Sequence, residues 1–581
     1  MSRLRHAPTA PLRAARPISL LAVCSLCSCG REDGPPPEPP PVQVAVEIQA
    51  EAPLPPCTAP VPSPGLLTDA REAAGVDFTH IESPFPDLGP GWDGDTFAGI
   101  FGGGVAAADF DRDGHIDLFL ANGGGANALH WGLGDGTFEP DSAQTASVSW
   151  PDEDTSFVSA ADFDGDADLD LLIGGWETLR LLENNGDRTF TDVAAEVGLR
   201  AAPAYPGASA WADMDGDGDL DVFVGAYGEP TTGYNGAAAL PSALYENQGG
   251  RFVDVTERAL PYVAGREGLV LHARWQDLDR DGDPDLMQVN DFGATRGATQ
   301  LWENRGNGTF VDRGPASGLG TLPYPMGGVA HDLDGDGTLD LAFSDLARTH
   351  LFVGQGPDPW SWATADAVWG ADLVDQDSDA SWSVATLDLD GSGAVGLYFT
   401  YGPMEGEPLP NDPGAPFDPE QPDRLLVPED GANGFRLQDR ADAFASPQIG
   451  RARGLTTTDL NADGVPDVVV SNLGQQPAIL MGACTAAART WVRLEQPDSG
   501  NVHAIGAEVT LTVGDRSWSQ TILGGGPGSG SAQEPSLHFG LGDATAVDAA
   551  FIRWPDGAFS ELDGVCAGCV VTLRRGDPLG G

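Results

Sequence analysis

Aspartates recur along this chain at a spacing that suits metal ligation. In the pattern D-x-D-x-D-G-x-x-D, positions 1, 3, 5 and 9 carry side-chain oxygens and an apolar run follows. The first copy holds Asp109, Asp111, Asp113 and Asp117, with Gly114 at position 6. The second holds Asp162, Asp164, Asp166 and Asp170, with Ala167 where glycine is expected. The third is Asp213, Asp215, Asp217 and Asp221; the fourth is Asp277, Asp279, Asp281 and Asp285. The fifth is Asp332, Asp334, Asp336 and Asp340; the seventh is Asp459, Asn461, Asp463 and Asp467. The sixth is degraded: Asp388, Asp390 and Ser392, then Gly396 in the place of the last Asp.

Positions 1, 3 and 5 put three oxygens on one side of a tight loop, and glycine at 6 lets the chain turn sharply. A carbonyl at 7 and a carboxylate at 9 complete a shell of about six or seven oxygens, the preference of Ca²⁺. Without a cation, two carboxylates about 5 Å apart repel by roughly 3 kcal/mol at an effective dielectric of 20. The loops therefore call for about six Ca²⁺ ions and should fold with them. The sixth copy binds weakly or not at all. A single Asp-Gly turn could merely cap strands; a set of six good copies argues for metal. An EF-hand would need Glu at position 12, where these copies have Leu120, Ile173, Val224, Gln288, Phe343 and Val470.

The flanks say what must position the loops. An apolar segment such as residues 104–107 precedes each loop and a second such as 117–120 follows, so each loop is a hairpin turn. A third strand follows, as in residues 179–184 and 300–304, then an Asn-Gly turn and a Thr-Phe-x-Asp strand, as in 189–192 and 309–312. Four strands per repeat, recurring about every 50–70 residues, make one propeller blade. The expected fold is all-β: a seven-bladed β-propeller over residues 65–484, then a small β-rich domain. The repeats resemble the FG-GAP/VCBS family of integrin-like β-propellers over roughly residues 66–482. That resemblance implies calcium in hairpin loops on one face, with positions 1, 3, 5 and 9 as ligands, stabilising the blades.

The last copy lacks its Thr-Phe-x-Asp strand, and residues 67–70 match it, so an N-terminal strand should complete the final blade and remove the open edges. Cys57 and Cys484 flank this region, and a disulfide between them would staple the closure in an oxidising compartment. Cys566 and Cys569 form C-x-x-C without a thioredoxin-like pattern, so a structural disulfide or two inert thiols is expected. Residues 488–577 resemble an ASPIC/UnbV domain through Asn501, Ala504 to Ala507, Leu537 to Gly542 and Arg553 to Gly557. His503 stands where that family often has Asp. The combination is similar to the bacterial relatives of cartilage acidic protein, which adds architecture more than mechanism.

At the N-terminus, Arg3, Arg5, Arg13 and Arg16 precede a short apolar run, too short to span a bilayer. Residues 26–29 resemble a lipobox, which makes 1–28 a lipoprotein-type signal peptide and Cys29 a lipidated N-terminus. The proline-rich residues 29–64 read as an extended linker. Export to the bacterial envelope, outer membrane or cell surface follows, with membrane contact through the lipid anchor only. The net charge is −57 and all 30 basic residues are arginine, which argues against nucleic-acid binding.

The nine histidines are scattered and no hydrolase, zincin or P-loop motif is present. Trp92, Trp211, Trp275 and Trp382 could line a carbohydrate site, but blade packing is the commoner use of such residues. The reading is a calcium-stabilised surface module for protein or carbohydrate ligands. The alternative is a propeller hydrolase or lyase acting on extracellular polysaccharide or phosphate esters.

Overall fold

The strands that flank the first Asp loop are apolar except for Asp117, which suits strands buried on both faces. In the first repeat, Val105–Ala108 and Asp117–Leu120 form this hairpin, and every residue of both strands is buried. The computed structural model describes residues 41–579, apart from 56–65, 83–101, 228–241, 262–268, 371–378 and some shorter stretches. The signal segment, Cys29, Cys57 and Trp92 lie outside the described residues.

The second repeat builds an antiparallel sheet from Phe157–Ala161, Asp170–Gly175, Thr178–Asn184 and Phe190–Asp192. Among the described residues, seven sheets share this plan, one for each Asp loop. In the seventh, Ala452–Thr458, Asp467–Asn472 and Ala478–Gly482 are joined by Leu67–Asp69, which pairs with the last of them. The missing fourth strand thus comes from the other end of the chain.

The first strand of each sheet touches the first strand of the next. The contacts run from Val105–Ala108 through Phe157–Ala161, Pro206–Ala212, Leu269–Gln276, Pro325–His331 and Ser381–Leu387 to Ala452–Thr458. The last of these touches Val105–Ala108 again, so the contacts form a closed cycle.

The C-terminal region forms two further four-stranded sheets. One orders Arg516–Thr521, Glu508–Val513, Ala549–Arg553 and Phe559–Asp563. The other orders Val44–Pro53, Cys569–Pro578, Ala488–Glu495 and Ser536–Gly542. Val509, Leu511, Ile552, Trp554, Val571 and Leu573 are buried in one core that both sheets share. The linker reading of residues 29–64 is corrected here: Val44–Pro53 is a ten-residue strand paired with Cys569–Pro578. Its apolar Val44, Val46 and Ile48 alternate as a strand needs, and the prolines around it hide the pattern.

A second feature joins the two regions. Ala532–Gln533 pairs in parallel with Val105–Ala108, so a piece of the C-terminal region enters the first sheet. Just before it, the Trp211 N–H donates to the Gly524 carbonyl at 2.9 Å and the Val158 N–H to Gly530 at 3.0 Å. Thr456 Oγ1 donates to the Ala532 carbonyl at 2.7 Å. The glycine-rich segment after Leu523 therefore lies among the first strands of several sheets.

Candidate metal centres

Every Asp loop shares one hydrogen bond at its turn, and six share further ones. One oxygen of the first Asp accepts the N–H of position 6, from Gly114 to Asp109 at 2.9 Å through Gly464 to Asp459 at 2.7 Å. The sixth loop keeps this bond, Gly393 to Asp388 at 2.7 Å. The fifth-position Asp accepts the N–H of position 7, as His115 to Asp113 at 2.9 Å. The ninth-position Asp ties the loop to the third strand. Asp221 accepts from Met214 N–H at 2.8 Å and from Asn247 N–H at 2.7 Å. Asp117, Asp170, Asp285, Asp340 and Asp467 do the same in their sheets.

Two positions need a left-handed backbone. Position 6 has φ near +90°, as in Gly114 and Gly337, and Ala167 adopts φ +74° there. Position 4 also has positive φ, in Arg112, Gly165, Gly216, Arg280, Gly335, Gly391 and Ala462. Glycine at four of those seven positions was the visible signal for the second requirement.

Five loops bring three carboxylate oxygens within 4.8 Å of one another. They are Asp109, Asp111 and Asp117; Asp162, Asp164 and Asp170; Asp213, Asp215 and Asp221; Asp277, Asp279 and Asp285; and Asp332, Asp334 and Asp336. The seventh loop sets Asp459, Asp463 and Asp467 around Asn461, whose Nδ2 donates to Asp463 at 3.2 Å. In the sixth, a Cβ on Gly396 would lie 2.7 Å from the Leu426 carbonyl, so backbone occupies the space a ninth-position Asp needs.

These clusters fit a hard cation. All donors are oxygens, and Asp332 Oδ1 is buried with no hydrogen-bond donor. Burial, reinforced by neighbouring carboxylates, pushes Asp162, Asp213 and Asp340 up to about 7, Asp117 to about 8 and Asp221 to about 9. Carboxylates so desolvated lack a positive charge. Among the described residues, arginine pairs with a first- or third-position Asp at two loops: Arg188 with Asp111, and Arg553 with Asp277 at 2.5 Å.

Family comparison places these loops. The FG-GAP-like repeat model matches residues 109–173, 162–224 and 277–343, each match starting on the first Asp of a loop. The ASPIC and UnbV model matches residues 497–579. The chain carries FG-GAP-like repeats and an ASPIC and UnbV domain. Mouse cartilage acidic protein 1 is 24% identical over 515 residues, covering 78% of this chain and 70% of that protein. The human protein of that name is 24% identical over 545 residues, covering 84% and 74%. Among solved structures, an Agrocybe aegerita lectin that recognises non-reducing terminal N-acetylglucosamine has a TM-score of 0.36 and 18% identity, over 64% of this chain and 86% of that one. BBS1N in complex with ARL6DN has a TM-score of 0.36 and 11% identity, over 70% and 98%.

The ASPIC and UnbV segment sits on the FG-GAP loops. Asp109 N–H donates to Glu534 at 3.1 Å. Gly500 lies against Gly165 of the second loop, and Asn501 N–H donates to Gly218 of the third at 2.7 Å. Arg553 reaches the fourth loop, Trp518 Nε1 donates to Gly393 of the sixth at 3.0 Å, and Trp491 Nε1 to Gly464 of the seventh at 3.1 Å. Asn501, fully buried, also closes its own turn through Ile505 at 2.7 and 2.8 Å.

One set of residues escaped the sequence reading. The asparagine that ends the third strand reaches the preceding loop: Asn184 to the Phe110 carbonyl at 2.7 Å, Asn247 to Phe163 at 2.9 Å, Asn304 to Met214 at 2.7 Å. The Glu-Asn pair recurring at these three points was the available signal. The tryptophans serve packing: Trp211 Nε1 donates to Ser159, Trp275 to Ala210 and Trp382 to Gly402. His130 and His272 are buried, and His350 lies between Asp345 and Asp366 at 3.5 and 3.6 Å. Cys566 and Cys569 form a disulfide with Cα atoms 6.0 Å apart. Cys484 is disulfide-bonded.

Proposed function

We propose that this protein is an exported, calcium-stabilised seven-bladed propeller that binds a protein or glycan ligand at the cell surface. The observation that carries the reading is the place of the Asp clusters. They sit in hairpin loops between buried strands and are tied by hydrogen bonds to the third strand and the neighbouring loop, so an ion there pins blades. The closed cycle of first-strand contacts and the N-terminal strand in the seventh sheet support a closed ring. Calcium occupies the first, second, third, fourth, fifth and seventh loops. Cys29 carries the lipid anchor. Cys57 pairs with Cys484: Leu54 lies against Gly464, and Ala483 N–H donates to Leu66 at 2.7 Å, so both flanks of Cys57 converge beside Cys484.

The hydrolase alternative needs a pair of free carboxylates. Outside the metal loops, Glu508 stands 3.3 Å from Arg553 and Glu534 3.4 Å from Arg493, so both are engaged in ion pairs. Two measurements test the proposal. Calorimetric titration should find about six calcium sites, and chelation should lower the melting temperature; an unchanged melting temperature would sink the metal claim. A glycan array and a surface-protein pull-down, both in calcium, should give a specific ligand.

A further inference from the structure

The seam between the ring and the C-terminal domain opens beside the fifth loop. The fifth loop lines a cavity of about 820 Å³ whose far wall includes Arg516, Ser517, Trp518 and Gln520. Arg274 lies on the ring side. It is 8% exposed, and its Nε donates to Gln276 Oε1 at 3.2 Å, a neutral partner on the same strand. Among the described residues it forms no ion pair, and burial pulls it down to about 10 with no carboxylate offsetting that. The next basic side chain, His331, adds no negative charge.

A buried guanidinium without a counter-ion is destabilising, and its planar fork suits an oxyanion. Most of the cavity's own carboxylates are engaged elsewhere; Asp515, also in the wall, is exposed. Asp332, Asp334 and Asp336 form the metal cluster, and Glu508 is held by Arg553. The size suits a ligand of a few sugar rings. Hydroxyl and amide groups line it beside two indoles, Trp491 and Trp518, the mixture that meets a saccharide. A net charge of −57 disfavours a long polyanion, whereas a short ligand with one or a few oxyanions enters at limited electrostatic cost.

We propose that this cavity binds a short acidic saccharide, with the ligand's carboxylate or sulfate group on Arg274. This rests on the binding reading above and names its ligand class. The experiment is calorimetry on the mature chain in calcium, with trigalacturonate, its methyl ester and a sulfated disaccharide. Variants are Arg274→Gln and Ser517→Trp, the second at an exposed wall position that tolerates a larger side chain. At least one acidic ligand should bind, the methyl ester at least tenfold more weakly, and both variants should lose at least tenfold while melting like the parent. A carboxylate source shows in the first ligand and a sulfate source in the third. If Arg274→Gln does not fold, loss of binding in Ser517→Trp alone carries the test. Acidic-ligand binding that survives in the folded variants overturns the cavity assignment and leaves the binding reading standing, as does an array hit that is neutral. No binding by any of the three ligands also overturns the cavity assignment; the array and the pull-down then decide the broader reading on their own.

Discussion

Ala167 sits where six other loops have glycine, and its backbone is left-handed at φ +74°. An L-residue with a Cβ pays roughly 1–2 kcal/mol for that region, against the greater chain entropy that glycine brings to the unfolded state. Ala167→Gly should therefore stabilise the protein by about 1 kcal/mol in calcium, read from urea unfolding. A variant less stable than the parent would show that the loop is not strained. Asn247 makes the opposite case. It is 1% exposed, and its Nδ2 serves carbonyls in two adjacent loops while Oδ1 accepts from Gly250. Asn247→Ala leaves those groups buried and unpaired, so a loss of about 3 kcal/mol is expected. Comparable stability in a thermal melt would mean that water replaces the amide.

The hairpins were legible because each element announces itself locally: apolar run, Asp loop, apolar run. The fourth strands of the second and fourth sheets were legible through Thr-Phe-x-Asp, and the displaced strand Leu67–Asp69 through its likeness to the former. What stayed hidden is long-range. Val44–Pro53 pairs with the far end of the chain, and its flanking prolines look like linker. Gly524, Gly525 and Gly526 read as plain turns, yet the first two lie against a strand some 300 residues earlier, at Trp211 and Ser209. A Cβ at Gly524 would stand 2.4 Å from the Trp211 carbonyl and 2.7 Å from its Cβ. The glycines allow close approach of backbone to backbone, which no local pattern reveals. Gly524→Val should unseat the segment, lower stability by more than about 3 kcal/mol and expose residues 524–533 to protease. Gly514→Ala, with open space around it, should cost about 1 kcal/mol and leave the protease pattern unchanged. Equal protease resistance in both variants would remove the close-approach argument.

At the scale of the whole molecule, the loops couple stability to pH through the absence or presence of metal. The ordinary Asp value is near 3.8, and burial lifts Asp109 to about 6, Asp162, Asp213, Asp340 and Asp459 to about 7, and Asp117 to about 8. Between those limits the metal-free folded state holds more protons than the unfolded chain. Linkage then makes its stability fall as pH rises. The contribution is complete below about pH 4 and lost progressively through pH 6 to 8. A divalent ion reverses the sign, because it replaces the protons and binds ionised carboxylates better. Melting temperatures of protein stripped of metal should therefore drop from pH 5 to pH 8. With calcium they should hold or climb, so the gap between the two curves widens with pH. Calcium titrated at pH 7 should also release protons, seen as a heat that depends on the buffer's ionisation enthalpy. Parallel melting curves and a buffer-independent heat would mean that the ions meet carboxylates already ionised, and that the burial holding the loops together does not hold protons there.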